Sequence, residues 1–143
     1  MTGASQAALR ERMASKGVRP TAQRVRILEA LADETDDATA QEIHRRVGSR
    51  GSGIGLATVY RTLAVLSEHG LVDALPHRPG EMCYRLCGDA HHHHLVCASC
   101  HRVVELHECG LDDWIDGLAA ARGWVADEHR LEVSGRCPEC VAR

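Results

Sequence analysis

The stretch LATVYRTLAVLSEHGLVDALPHRPGEMCYRL, Leu56–Leu86, changes its period halfway along. Up to Gly70 the apolar side chains recur at helical spacing. Val59, Leu63 and Leu66 form one stripe, with Thr58, Arg61, Thr62 and Val65 expected on the other side. Beyond Gly70, LVDAL and MCYRL read as two short strands joined by the Pro/Gly turn PHRPGE. A helix that runs straight into a hairpin is the second half of a winged helix-turn-helix.

The residues upstream supply the first half. Ser5 to Leu9 open a short helix that stops at Gly17. Pro20-Thr21 start a second helix, with Val25, Leu28 and Leu31 facing inward. Thr39-Ala40-Gln41-Glu42 form a capping box, in which hydroxyl and carboxylate satisfy each other's backbone amides. That third helix turns Ile43 and Val47 inward and fades at Gly48, before the glycine-rich turn GSRGSGIG.

Past residue 88 the pattern differs. HHHHLVC, RVVEL and WVADEHRLEV read as strands. Leu111 to Arg122 reads as a helix, with Leu111, Trp114, Ile115 and Leu118 on one side and Gly123 ending it. The expected fold class is α+β. A winged helix-turn-helix domain, 1–86, is joined by a hinge to an α/β domain, 87–143, with the boundary near Leu86–Ala90.

Composition sets limits on both halves. The 143 residues contain no Phe, and the aromatics are Tyr60, Tyr84, Trp114 and Trp124. Two half-size aliphatic cores are each marginal alone, so metal or oligomerisation is expected to help. No apolar run approaches the roughly 20 residues that span a bilayer. The N-terminus has no apolar signal segment, so a soluble cytoplasmic protein is expected. Seven cysteines there point to metal or redox chemistry rather than a disulfide frame. Residues 1–80 carry 11 Lys+Arg against 9 Asp+Glu, and residues 81–143 carry 6 against 11. Opposite signs suggest two jobs, and bound cations would offset the acidic half.

Cys97-x-x-Cys100 and Cys137-x-x-Cys140 are two knuckles separated by 36 residues. Each offers two thiolates at zinc-ligand spacing, and together they make a closed four-sulfur structural site. A redox role would be left open by one pair alone. Two pairs, in a histidine-rich half with no βαβ pattern before Cys97, favour zinc. Just upstream stand His91, His92, His93 and His94. On a strand, alternate side chains face opposite ways. His91 with His93 and His92 with His94 could therefore feed separate metals, or the run could be a solvated patch.

ATVYRTL followed by HGLV, a hairpin, HHHHLVCASC and a terminal CPEC resemble the ferric uptake regulator superfamily, from about Val18 to Cys140. Within it the chain is most similar to the zinc uptake regulator branch. Iron sensors commonly carry HHDH where His91–His94 stand, and Cys87 also resembles the zinc branch. The resemblance implies a homodimeric, zinc-responsive repressor that binds operator DNA and controls zinc acquisition genes, with two to three Zn2+ per protomer. It implies a C-terminal dimerisation domain. It assigns Asp73, Cys87, His92 and His94 to a regulatory hinge site, and His91, His93, Asp112 and His129 to a further site. At Asp112 the family usually has Glu, and Glu108 or Asp113 could substitute.

For DNA, Arg61 is the first choice for a guanine edge, which arginine grips through O6 and N7. Tyr60 matches a family position at the DNA. Thr58 and Thr62 are expected at phosphates, and Arg19 and Arg24 along the backbone. Cys83 and Cys109 read as packing, and Glu105 as a second-tier ligand. A regulator sensing iron, nickel or peroxide is the nearest rival, and Cys87 discriminates against it. An enzyme, such as a zinc hydrolase or deaminase, would need an open coordination position, and the H-x-E…P-C-x-x-C deaminase pattern is absent.

Overall fold

The computed structural model describes residues 5–33, 37–88 and 90–143. The chain divides into two compact units, Met1–Asp89 and Ala90–Arg143. Cys87 lies in the first of these units.

In that unit, α1 (Gln6–Ser15), α2 (Ala22–Ala32), α3 (Ala40–Ser49) and α4 (Leu56–Glu68) are followed by the hairpin of β2 (Val72–Arg78) and β3 (Glu81–Leu86). A two-residue strand, β1 (Ala38–Thr39), adds to the outer side of β3, giving the order β1-β3-β2. The caps form as the side chains dictate. Ser5 accepts from the Ala8 amide and Thr21 from the Arg24 amide. Thr39 and Glu42 complete both halves of the capping box. Gly70 ends α4 with φ 66°, a left-handed geometry that lets the Leu71 amide reach back to the Leu66 carbonyl at 2.8 Å. That reversal aims the chain into β2.

The four helices and one face of the hairpin enclose a continuous apolar core. Leu9, Met13, Val25, Ile27, Leu28, Leu31, Ile43, Val47, Val59, Leu63, Leu66, Leu71 and Val72 all contribute to it. Burying each such side chain stabilises by about 1.5–3 kcal/mol. On α4 the buried set is Val59, Thr62, Leu63 and Leu66. Thr62 was expected on the outer side, but it sits three residues after Val59 and so falls into the buried stripe. Val65, also expected outside, packs partly against the same core.

The second unit is built on a three-stranded sheet of order β5-β4-β6. Here β4 is His93–Cys97, β5 is Val103–Leu106 and β6 is Glu132–Gly135. β4 runs antiparallel to β5 and parallel to β6. α5 (Asp112–Ala120) crosses between β5 and β6, and a short α6 (Pro138–Val141) carries the last cysteine. The stretch 124–131, expected as strand, is irregular, and pairing begins only at Glu132. Among the described residues of this unit, the buried side chains are His93, His94, Val96 and Cys97.

Candidate metal centres and recognition helix

β4 ends at Cys97 and turns through Cys100, while its parallel neighbour β6 delivers Gly135 opposite Cys97. The Ala98 amide bonds the Gly135 carbonyl at 2.8 Å, which sets the second knuckle against the first. Cys137 caps α6 and Cys140 lies within it. The four Sγ atoms fall within 4.8 Å of one another. Cys100 and Cys137 stand 3.7 Å apart. A zinc–sulfur bond of about 2.3 Å implies tetrahedral edges of ~3.8 Å, so the donor set fits zinc.

Backbone amides favour the thiolate at one of those sulfurs, Cys97. Amides of Cys100 and Cys137 donate to Cys97 Sγ, at 3.5 and 3.3 Å, and hold its thiol down to about 5. Cys140 is pushed up to about 12, first by its hydrogen bond with Cys137 and then by burial. Arg102 on one knuckle donates to both carboxylate oxygens of Glu139 on the other, at 2.8 and 2.9 Å.

The histidines divide by strand parity. His91 and His93 lie on one face, with ring centroids 4.6 Å apart. His92 and His94 lie on the other, 5.0 Å apart. On the first face His129 joins from the loop before β6. The three Nε2 atoms form a triangle of 3.2, 3.2 and 3.3 Å edges. Hydrogen bonds cannot satisfy this triangle. A neutral imidazole nitrogen either donates or accepts, so two of any three share a character and face each other unpaired. A cation resolves the conflict by taking all three lone pairs. Zn–N bonds of about 2.0–2.1 Å give edges of about 3.3–3.4 Å, close to those observed. Burial first, then His91 and His129, push His93 below its ordinary pKa, which favours the neutral imidazole that a metal requires.

Among the described residues, the fourth group of this set is Cys109, whose Sγ lies 3.1 Å from His129 Nε2. Asp112, expected here, stands instead 3.6 Å from the other ring nitrogen of His129. Cys109 reads from the sequence as a packing residue at the start of the last helix, far in sequence from His91, His93 and His129. Only the fold brings it close.

On the second face, His92, His94 and Glu105 place their donor atoms within 4.8 Å of one another. Register explains Glu105, since it pairs directly with His94 across β4 and β5. His92 donates from Nδ1 to the Ala90 carbonyl at 2.8 Å, leaving Nε2 as the ligand atom. In the first unit, Asp73 on β2 pairs with Arg85 on β3. Cys87 follows β3, with its amide on the Leu71 carbonyl at 3.1 Å and its own carbonyl held by Arg12. By strand alternation, Asp73, Arg85 and Cys87 share the hairpin face opposite the helical core.

On α4, Tyr60 is 42% exposed and is therefore not a core aromatic. Arg61 is exposed and donates to Thr58 Oγ1 at 3.2 Å. Arg19 is exposed, and Arg24 is half-buried and bonds the Arg19 carbonyl at 3.0 Å. Thr62 is 6% exposed and packs in the core, so it does not present the exposed hydroxyl expected for a phosphate contact.

The sequence pattern of the ferric uptake regulator family matches residues 15–134. The zinc uptake regulation protein of Mycobacterium tuberculosis is 41% identical over 128 residues, 90% of this chain and 98% of that one. The peroxide operon regulator of Bacillus subtilis is 35% identical over 131 residues, 91% of this chain and 89% of that one. A zinc uptake regulator solved with zinc and DNA superimposes with a TM-score of 0.77 at 25% identity, covering 96% of this chain and 93% of its own.

Proposed function

Because the chain belongs to the ferric uptake regulator family, we propose that it is a zinc-responsive repressor that binds operator DNA as a homodimer, not an enzyme. The observation that carries the reading is the division of one histidine run between two donor sets on opposite faces of β4. One strand thus serves two ions, and the adjacent knuckles serve a third. Two to three Zn2+ per protomer is the proposed content.

The regulatory ion is held by His92, His94 and Glu105 of the second unit, with Asp73 and Cys87 as the contribution of the first. One ion bound by both units fixes the spacing of two recognition helices in a dimer. Half-sites about 34–36 Å apart then match. To move such an equilibrium from 1:99 to 99:1, zinc must prefer the DNA-competent form by about 5.5 kcal/mol. Arg61 reads a base edge, Tyr60 and Thr58 lie beside it, and Arg19 and Arg24 follow the phosphates. The controlled genes serve zinc acquisition.

Dimerisation uses the second unit. No residue of α5 is buried, and Trp114, Trp124, Val125 and Val133 expose 64, 74, 85 and 41% of their surface. Apolar area of that kind suits a second copy of the chain. No helix of the described residues is long and apolar enough to cross a membrane.

His92, His94 and Glu105 give nitrogen and oxygen donors that iron accepts as readily as zinc. This favours, as the second reading, an iron or peroxide sensor, and Cys87 separates the two. Operator affinity is measured by fluorescence anisotropy with Zn2+, with Fe2+, and after mild chelation that leaves the four-cysteine zinc. The zinc reading expects tight binding only with Zn2+, and loss of the response in Cys87→Ser. Equal affinity in all three states, or a full zinc response in Cys87→Ser, contradicts it.

A further inference from the structure

We infer that Cys109 is a metal ligand, and that the His91, His93 and His129 site takes zinc as a three-nitrogen, one-sulfur set with Asp112 behind it. The inference extends the metal chemistry of the second unit and does not depend on the hinge.

Three observations meet at this site. First, the Nε2 triangle of His91, His93 and His129 has edges suited to a tetrahedral ion and a donor conflict that hydrogen bonding leaves unresolved. A tetrahedron needs one more vertex. Second, Cys109 Sγ completes it among the described residues, with all four donor atoms within 4.8 Å of one another. The thiol is half-buried and approaches the Nε2 side of His129 at 3.1 Å, on the same nitrogen that faces the other two rings. Third, the carboxylate expected as the fourth ligand lies outside the donor set. Asp112 lies 3.6 Å from His129 Nδ1, on the far side of the ring from the donor set.

A carboxylate that hydrogen-bonds the second ring nitrogen fixes the tautomer and raises ligand basicity, the usual arrangement behind a zinc-bound histidine, and Asp112 at 3.6 Å needs only a small side-chain shift to make that bond. Asp112 is thus a positioning residue and Cys109 a ligand. Local structure explains the exchange. Asp112 is the first residue of α5, where a carboxylate also suits the helix N-terminus. Cys109 precedes it by three residues, in the loop that leads β5 into the helix. A thiolate in place of a carboxylate biases the site toward zinc and cobalt and against manganese or magnesium.

The test uses the full-length chain carrying Cys87→Ser, stripped to one zinc per chain so that only the four-cysteine site remains filled. Co2+ is then titrated in and the near-ultraviolet sulfur-to-cobalt charge-transfer band recorded. The hinge residues that remain carry no sulfur, so the band reports Cys109. Cys109→Ser is expected to abolish the band, whereas Asp112→Asn keeps it and weakens Co2+ binding about 10–100-fold. A band that survives Cys109→Ser, or no band in the parent, overturns the inference. Should Cys109→Ser fail to fold, alkylation decides the matter in the unsubstituted chain. Co2+ shields Cys109 from iodoacetamide if it is a ligand, and equal labelling with and without Co2+ overturns the assignment. DNA binding is not read at any point, so failure of the hinge mechanism would leave this result standing.

Discussion

The two units solve the same stability problem by different means. The first buries thirteen or more aliphatic side chains in one continuous core and places no cluster of three or more ligand groups wholly within itself among the described residues. The second buries four described residues, and His93, His94 and Cys97 among them are donors in the metal sets. Burial in the first unit removes apolar surface from water. In the second it positions nitrogen and sulfur atoms, which cost free energy unless a cation pairs them. The difference teaches where regulation can enter. On the proposed reading, a unit held by apolar packing keeps its fold whatever the zinc level, whereas a unit held by ligands depends on it.

The largest break in this comparison should come from the knuckles. Cys140→Ser is expected to lose one tightly held zinc and most of the structure of the second unit. Structural zinc sites provide about 10–16 kcal/mol of apparent binding energy. Zinc content per chain and near-ultraviolet dichroism of Trp114 and Trp124 measure this, while far-ultraviolet helix signal from the first unit should persist. Next comes Leu63→Ala, which opens the apolar core and should cost about 2–5 kcal/mol in urea unfolding of the first unit with zinc content unchanged. Arg61→Ala should cost about 1–3 kcal/mol of operator affinity and relax preference at one base position, with neither stability nor zinc content altered. Smallest is Arg102→Ala. Its ion pair with Glu139 is bidentate but solvent-facing and screened by water, so only a small effect is expected, read as slightly faster zinc release to a chelator.

Much of this contrast was legible in the residues. The capping box at Thr39 and the Val59, Leu63, Leu66 stripe specify local structure through short-range contacts, and each formed where spacing placed it. Strand parity separated odd from even histidines because alternation is a property of any extended chain. Thr62 was misassigned since a stripe drawn through three residues ignores the i+3 position that also faces inward. Residues 124–131 alternate enough to suggest a strand, but the partner edge of β4 is available only from Glu132 onward. Ala38–Thr39 is too short for periodicity to reveal. Cys109 and Glu105 are contributions of tertiary structure. One reaches its site through a loop and the other through cross-strand register, and neither has a motif around it.

Hydrogen exchange on the full-length chain, compared before and after complete zinc removal, tests the contrast between the units most directly. The account predicts that amides of β4, β5 and β6 lose protection together while those of α2, α3 and α4 keep theirs. Retained protection in the β4–β6 sheet without zinc, or simultaneous loss in both units, would contradict it.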